Sequence, residues 1–61
     1  MKIKRIATVQ QIDQEPIQIY HCSDEGGVEW FEIGGARVGL AGLDDLITEL
    51  RRLESFYVGS R

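Results

Sequence analysis

Residues 17–40, IQIYHCSDEGGVEWFEIGGARVGL, decide how the chain folds. The run IQIYHC at residues 17–22 alternates strictly. Ile17, Ile19 and His21 share one face of a strand, and Gln18, Tyr20 and Cys22 share the other. Asp24, Glu25, Gly26 and Gly27 follow, which is turn chemistry between two extended runs. Residues 28–33, VEWFEI, read as the next strand. Its neighbours Trp30 and Phe31 must point to opposite faces, so at least one ring lies outside a one-sided core. Gly34 and Gly35 supply the positive φ angles of a tight hairpin, and residues 37–40, RVGL, form a short fourth strand.

Upstream, residues 2–10, KIKRIATVQ, are rich in β-branched side chains and free of Gly and Pro. They read as a first strand, although their alternation is imperfect. Residues 11–16, QIDQEP, read as a turn, with Pro16 holding Glu15 extended. Downstream, Leu43, Leu46, Ile47, Leu50, Leu53 and Tyr57 fall within an arc of about 120° at helical spacing, a core-facing stripe. Gly42 is the expected N-cap, Asp44 and Asp45 the acids of the first turn, and Gly59 the residue just past the end. Arg51 and Arg52 lie toward the C-terminal end, where the helix dipole favours cations. The expected architecture is α+β, a single small domain over residues 1–61. A four-stranded antiparallel sheet precedes one C-terminal amphipathic helix, ββββα.

Composition narrows the classes. No apolar run approaches the ~20 residues that span a bilayer, and no charged segment leads into a hydrophobic one as in a secretory leader. The expectation is a cytoplasmic protein with no membrane partner. A single cysteine staples nothing. With 43% apolar residues and a net charge of -3, the chain is not disordered. At 61 residues, however, one core rarely supplies more than about 3–5 kcal/mol unaided. With disulfides and a zinc signature absent, self-association is the remaining common aid, and a two-fold homodimer is expected. The helix stripe, Leu43, Ile47, Leu50, Leu53 and Tyr57, is the candidate protein interface.

Charge is segmented. Lys2, Lys4 and Arg5 make residues 1–12 basic, and six acids with no cation make residues 13–34 acidic. The remainder is balanced. A basic strand beside an acidic one pairs opposite charges across the sheet. The sharper alternatives are an acidic hairpin for a basic protein partner, or a basic edge for phosphates.

Little in the chain suggests catalysis. His21 and Cys22 are strand neighbours on opposite faces, so they cannot form a thiolate–imidazole dyad. His21, Cys22, Asp24 and Glu25 lack metal-ligand spacing. Gly34, Gly35, Gly39 and Gly42 match no phosphate-cradling or dinucleotide motif. Neither a catalytic residue, a metal nor a cofactor is expected. What remains is a set of rings and cations on strands: Tyr20, Trp30 and Phe31 with Lys2, Lys4, Arg5 and Arg37. Rings that stack on bases beside cations that meet phosphates form a single-strand platform. The overall acidity works against this, because non-specific binding rests on charge.

The order IQIYHC, SDEGG, VEWFEI, GGARVGL and AGLDDLITELRRL, preceded by KRIATVQ, resembles the positive-cofactor-four family of transcriptional coactivators. The resemblance implies a curved four-stranded sheet and a helix that pairs with its mate in a dimer. It implies a transcription regulator whose open sheet face binds single-stranded nucleic acid, with Tyr20, Trp30 or Phe31, and Arg37 at binding positions. Glu29 and Glu32 stand where the family carries lysines. The competing reading is a small acidic regulator or inhibitor that docks on a partner protein through the helix or the hairpin of residues 24–32.

Overall fold

A computed structural model describes residues 1–59 and gives the expected ββββα order. The strands are β1 (Lys2–Gln11), β2 (Gln14–Ser23), β3 (Glu29–Ile33) and β4 (Ala36–Gly39), and the helix is α1 (Leu40–Tyr57). The sheet is antiparallel throughout, in the order β1-β2-β3-β4. No helix is long and apolar enough to cross a membrane among the described residues.

The first hairpin is tighter than the expected turn over residues 11–16. Gln11 pairs with Gln14, so only Ile12 and Asp13 turn the chain. Asp13 takes φ 59°, a region that Asp tolerates better than most residues. Pro16 lies inside β2, beyond the reach of β3, which ends where Ile33 meets Ile19. Its missing N–H therefore deprives no neighbouring strand of a bond on that side. The imperfect alternation of β1 has a structural cause. The register shifts between Arg5 and Ala7 and again between Val9 and Gln11. Such bulges add a residue and bend the strand. Residues 8–17 of β1 and β2 thus form a two-stranded ribbon projecting past the rest of the sheet, and the outer border of β1 pairs with nothing among the described residues.

The helix starts earlier than its leucine pattern indicates. Gly39, with φ -71° and ψ 164°, is the N-cap, and no side chain caps the first turn. Gly42 is inside the helix, not at its cap. Asp44 and Asp45 consequently fall in the second turn, and neither end carries the charge expected for its dipole. Val38 and Leu43 occupy the positions of a hydrophobic staple, which fixes how the chain enters the helix. Gly59 does follow the helix end, where its N–H bonds to the Glu54 carbonyl at 3.0 Å. A Cβ there would sit 2.9 Å from the Ser55 carbonyl oxygen, so glycine is required by space.

The core is very small. Cys22 and Trp30 are the buried side chains among the described residues. On the helix only Leu43 and Leu46 are half-buried, so the stripe is not core-facing over most of its length. Ile47, Leu50, Leu53 and Tyr57 are exposed. The radius of gyration is 13.9 Å, against about 10.5 Å for a compact chain of this length.

Candidate functional site: two four-strand rows and a bare helix

Alternation along each strand, combined with the register, places every candidate side chain on one of two faces. One row crosses the sheet as Lys4, His21, Phe31 and Val38, with Lys2 beside it opposite Ser23. The His21 and Phe31 rings are 5.5 Å apart and tilted by 57°. Glu29 lies on the same face, its Oε1 3.2 Å from His21 Nε2. Phe31 is half-buried, while Lys2 and Lys4 are exposed.

The opposite face carries the row Arg5, Tyr20, Glu32 and Arg37. Arg37 lies over the Trp30 ring, its Cζ 4.0 Å from the centroid. Trp30 itself is 6% exposed, and its Nε1 has no hydrogen-bond partner among the described residues. Cys22, beside it, is fully enclosed. Burial pushes the Cys22 thiol above its ordinary pKa, Glu32 pushes it further, and Arg37 opposes both.

The seven candidate nucleic-acid contacts therefore divide. Lys2, Lys4 and Phe31 share one face, and Arg5, Tyr20, Trp30 and Arg37 share the other. Phe31 is the accessible ring of the adjacent aromatic pair. Trp30 is enclosed and presents no open face for a base. His21, for which no binding role was expected, joins the Phe31 row. The signal for it was the antiparallel register, which sets the HC pair of β2 against the WF pair of β3.

The expected pairing of a basic β1 with acids does not occur. Lys2 faces Ser23, Lys4 faces His21 and Arg5 faces Tyr20. The opposite charges that do meet across strands are Glu32 and Arg37. Two acids of the hairpin are engaged within the chain. Asp24 accepts the Val28 N–H at 3.0 Å, and Glu29 is held by His21.

On α1, Leu43 is half-buried, and the other interface candidates, Ile47, Leu50, Leu53 and Tyr57, form an exposed stripe. Arg52 bonds Glu49 at 2.8 Å, whereas Arg51 has no carboxylate partner among the described residues. No group of three or more His, Cys, Asp or Glu side chains is arranged to hold a metal ion among those residues. No family model matches the chain, and no curated protein or solved structure matches it.

Proposed function

We propose that this chain is a non-enzymatic binding module that works as a homodimer and takes single-stranded nucleic acid across its Phe31 face, in the manner of a transcription regulator. The observation that carries the ligand is the row Lys4, His21, Phe31 with Lys2 alongside. Phe31 is half-buried, and stacking on the part of its ring left open tolerates any base, a base–aromatic stack being worth about 1–3 kcal/mol. The two lysines on the outermost strand stand where a backbone tracking along β1 would place phosphates. Of the ten acids, Asp13 and Glu15 sit on the projecting ribbon and four on the helix, while Glu29, which shares the Phe31 face, is held by His21.

The homodimer rests on area. The accessible surface is 5276 Å², about a third more than the roughly 4,000 Å² of a compact monomer of 6.9 kDa. If each chain buries that excess, a pair removes about 2,600 Å², within the range of obligate homodimers. The stripe of Ile47, Leu50, Leu53 and Tyr57 is the surface in want of cover.

Fluorescence anisotropy with a labelled oligothymidylate at low salt tests the ligand. Binding is expected to fall with salt, with a log–log slope of about -1.4 per protomer for two phosphate contacts. Lys4→Glu and Phe31→Ala abolish it, and Arg5→Ala and Arg37→Ala, on the other face, change it little. Absence of binding at low salt overturns the nucleic-acid reading. Capture of a basic protein lost on reversing Glu29 and Glu32 would put the acidic docking regulator in its place.

A further inference from the structure

We infer that the β1–β2 ribbon is an arm that clasps the second copy: Ile12 at its tip seats on the partner's α1 stripe, and the acids beside it meet the partner's Arg51. The inference rests on the homodimer reading and adds to it a second, non-helical contact.

Three observations carry it. Ile12 is 91% exposed, the most exposed of the large apolar side chains. It is displayed on a defined turn, with Gln11 Nε2 donating to the Glu15 carbonyl at 2.7 Å and Asp13 fixed at φ 59°. An isolated exposed apolar residue needs no explanation, but Val9 on the same ribbon is exposed too. Secondly, the ribbon has the reach. From Ala7, opposite the last residue of β2 that β3 pairs with, to Ile12 is about 16 Å at strand rise. That exceeds the ~10–12 Å diameter of a helix with its side chains.

Thirdly, the charges match. Between residues 6 and 18 the ribbon carries Asp13 and Glu15 and no cation, and neither acid has a side-chain partner among the described residues. Arg51, next to Leu50 on the exposed half of α1, is likewise unpaired there. In a two-fold dimer each chain gives one arm and receives one, so a single apolar side chain is used twice. The helices supply the broad contact, and the arms fix the angle at which they cross.

Sedimentation equilibrium of the full chain tests this with four single variants and one double charge reversal. Ile12→Asp changes a side chain that supports nothing in its own chain, so the circular dichroism spectrum and melting temperature are expected to stay as in the parent. Its dimer dissociation constant should rise at least about tenfold. Glu15→Lys and Arg51→Glu should each weaken the dimer by about three- to tenfold, and the double charge reversal should recover most of the loss. A dimer weakened by Leu50→Asp but untouched by Ile12→Asp overturns the arm and leaves the helix interface standing. A parent chain that stays monomeric at every concentration overturns the arm together with the homodimer. Failure of the double reversal to recover affinity overturns the Arg51 contact.

Discussion

Arg37 lies with its guanidinium carbon 4.0 Å from the centroid of the Trp30 ring, so an exposed cation roofs one of the two buried side chains of the sheet. The pair joins β3 to β4 on the face where Trp30 stands opposite Gly39, which has no side chain to contribute. A cation over an indole is worth about 0.5–1 kcal/mol at an exposed site. Arg37→Ala should lower the melting temperature by several degrees and shift Trp30 fluorescence to the red, with Arg37→Lys in between. Trp30→Ala removes far more, about 3–5 kcal/mol. In so small a domain that should leave the chain unfolded by circular dichroism.

Cys22 should be silent toward alkylating reagents in the native protein and react only as the sheet opens. Its thiol is enclosed and its pKa raised, mainly by burial. The sign for stability follows from linkage. The fold holds the thiol proton more tightly than the unfolded chain does. The stability this contributes is therefore complete below the unfolded thiol pKa, and it is lost as pH climbs through the folded value. Urea midpoints measured at neutral and strongly alkaline pH should diverge in the parent more than in Cys22→Ala.

Two glycines should respond in opposite directions. Gly35 has φ 89° with nothing near its missing Cβ, so Gly35→Ala is opposed by the backbone alone, at about 1–3 kcal/mol. Gly39 has ordinary extended angles, open space around its Cβ and an uncapped helix ahead of it. Gly39→Asp supplies the missing acceptor, places a negative charge at the helix start and stiffens the unfolded chain, a gain of about 0.5–1 kcal/mol. Thermal melts of the two variants, bracketing the parent, check both.

The turn between β2 and β3 depends on Asp24. Its carboxylate accepts from the Val28 N–H, its N–H donates to the Val28 carbonyl, and its carbonyl accepts from Gly27. Asp24→Ala removes the first of these and should cost about 0.5–1.5 kcal/mol. Asp24→Asn, which keeps an acceptor oxygen, should cost less. Hydrogen exchange at Val28 would report the loosening directly.

Element order, antiparallel pairing and the opposed faces of Trp30 and Phe31 were legible because each follows from alternation and turn glycines. The helix was legible from its leucine spacing, but its start was not. Leu40 reads as the last residue of the fourth strand and Gly42 as the N-cap, whereas β4 ends at Gly39 and runs straight into the helix. The tight turn at Ile12 and Asp13 was hidden by Pro16, which signals a break yet sits in β2 beyond the reach of β3, with β1 alone beside it. The bulges in β1 showed only as faulty periodicity. Which of two adjacent rings is enclosed depends on what lies over each face of the finished sheet, and no local pattern records that. The division of the candidate contacts between two faces follows from the same register, which sequence spacing alone does not give.

The free rim of β1 has a practical consequence. Along the ten residues of β1 the amide and carbonyl groups that point away from β2 invite lateral growth into ribbons of many chains, and the guard against it is the kinked outline at Ile6 together with three like charges near one end. Added electrolyte masks those charges without straightening the kinks. Concentrated stocks should therefore stay clear in dilute buffer and turn turbid as salt is raised, and a charge-neutral edit of Lys2, Lys4 and Arg5 would shorten storage life before it touched the melting point.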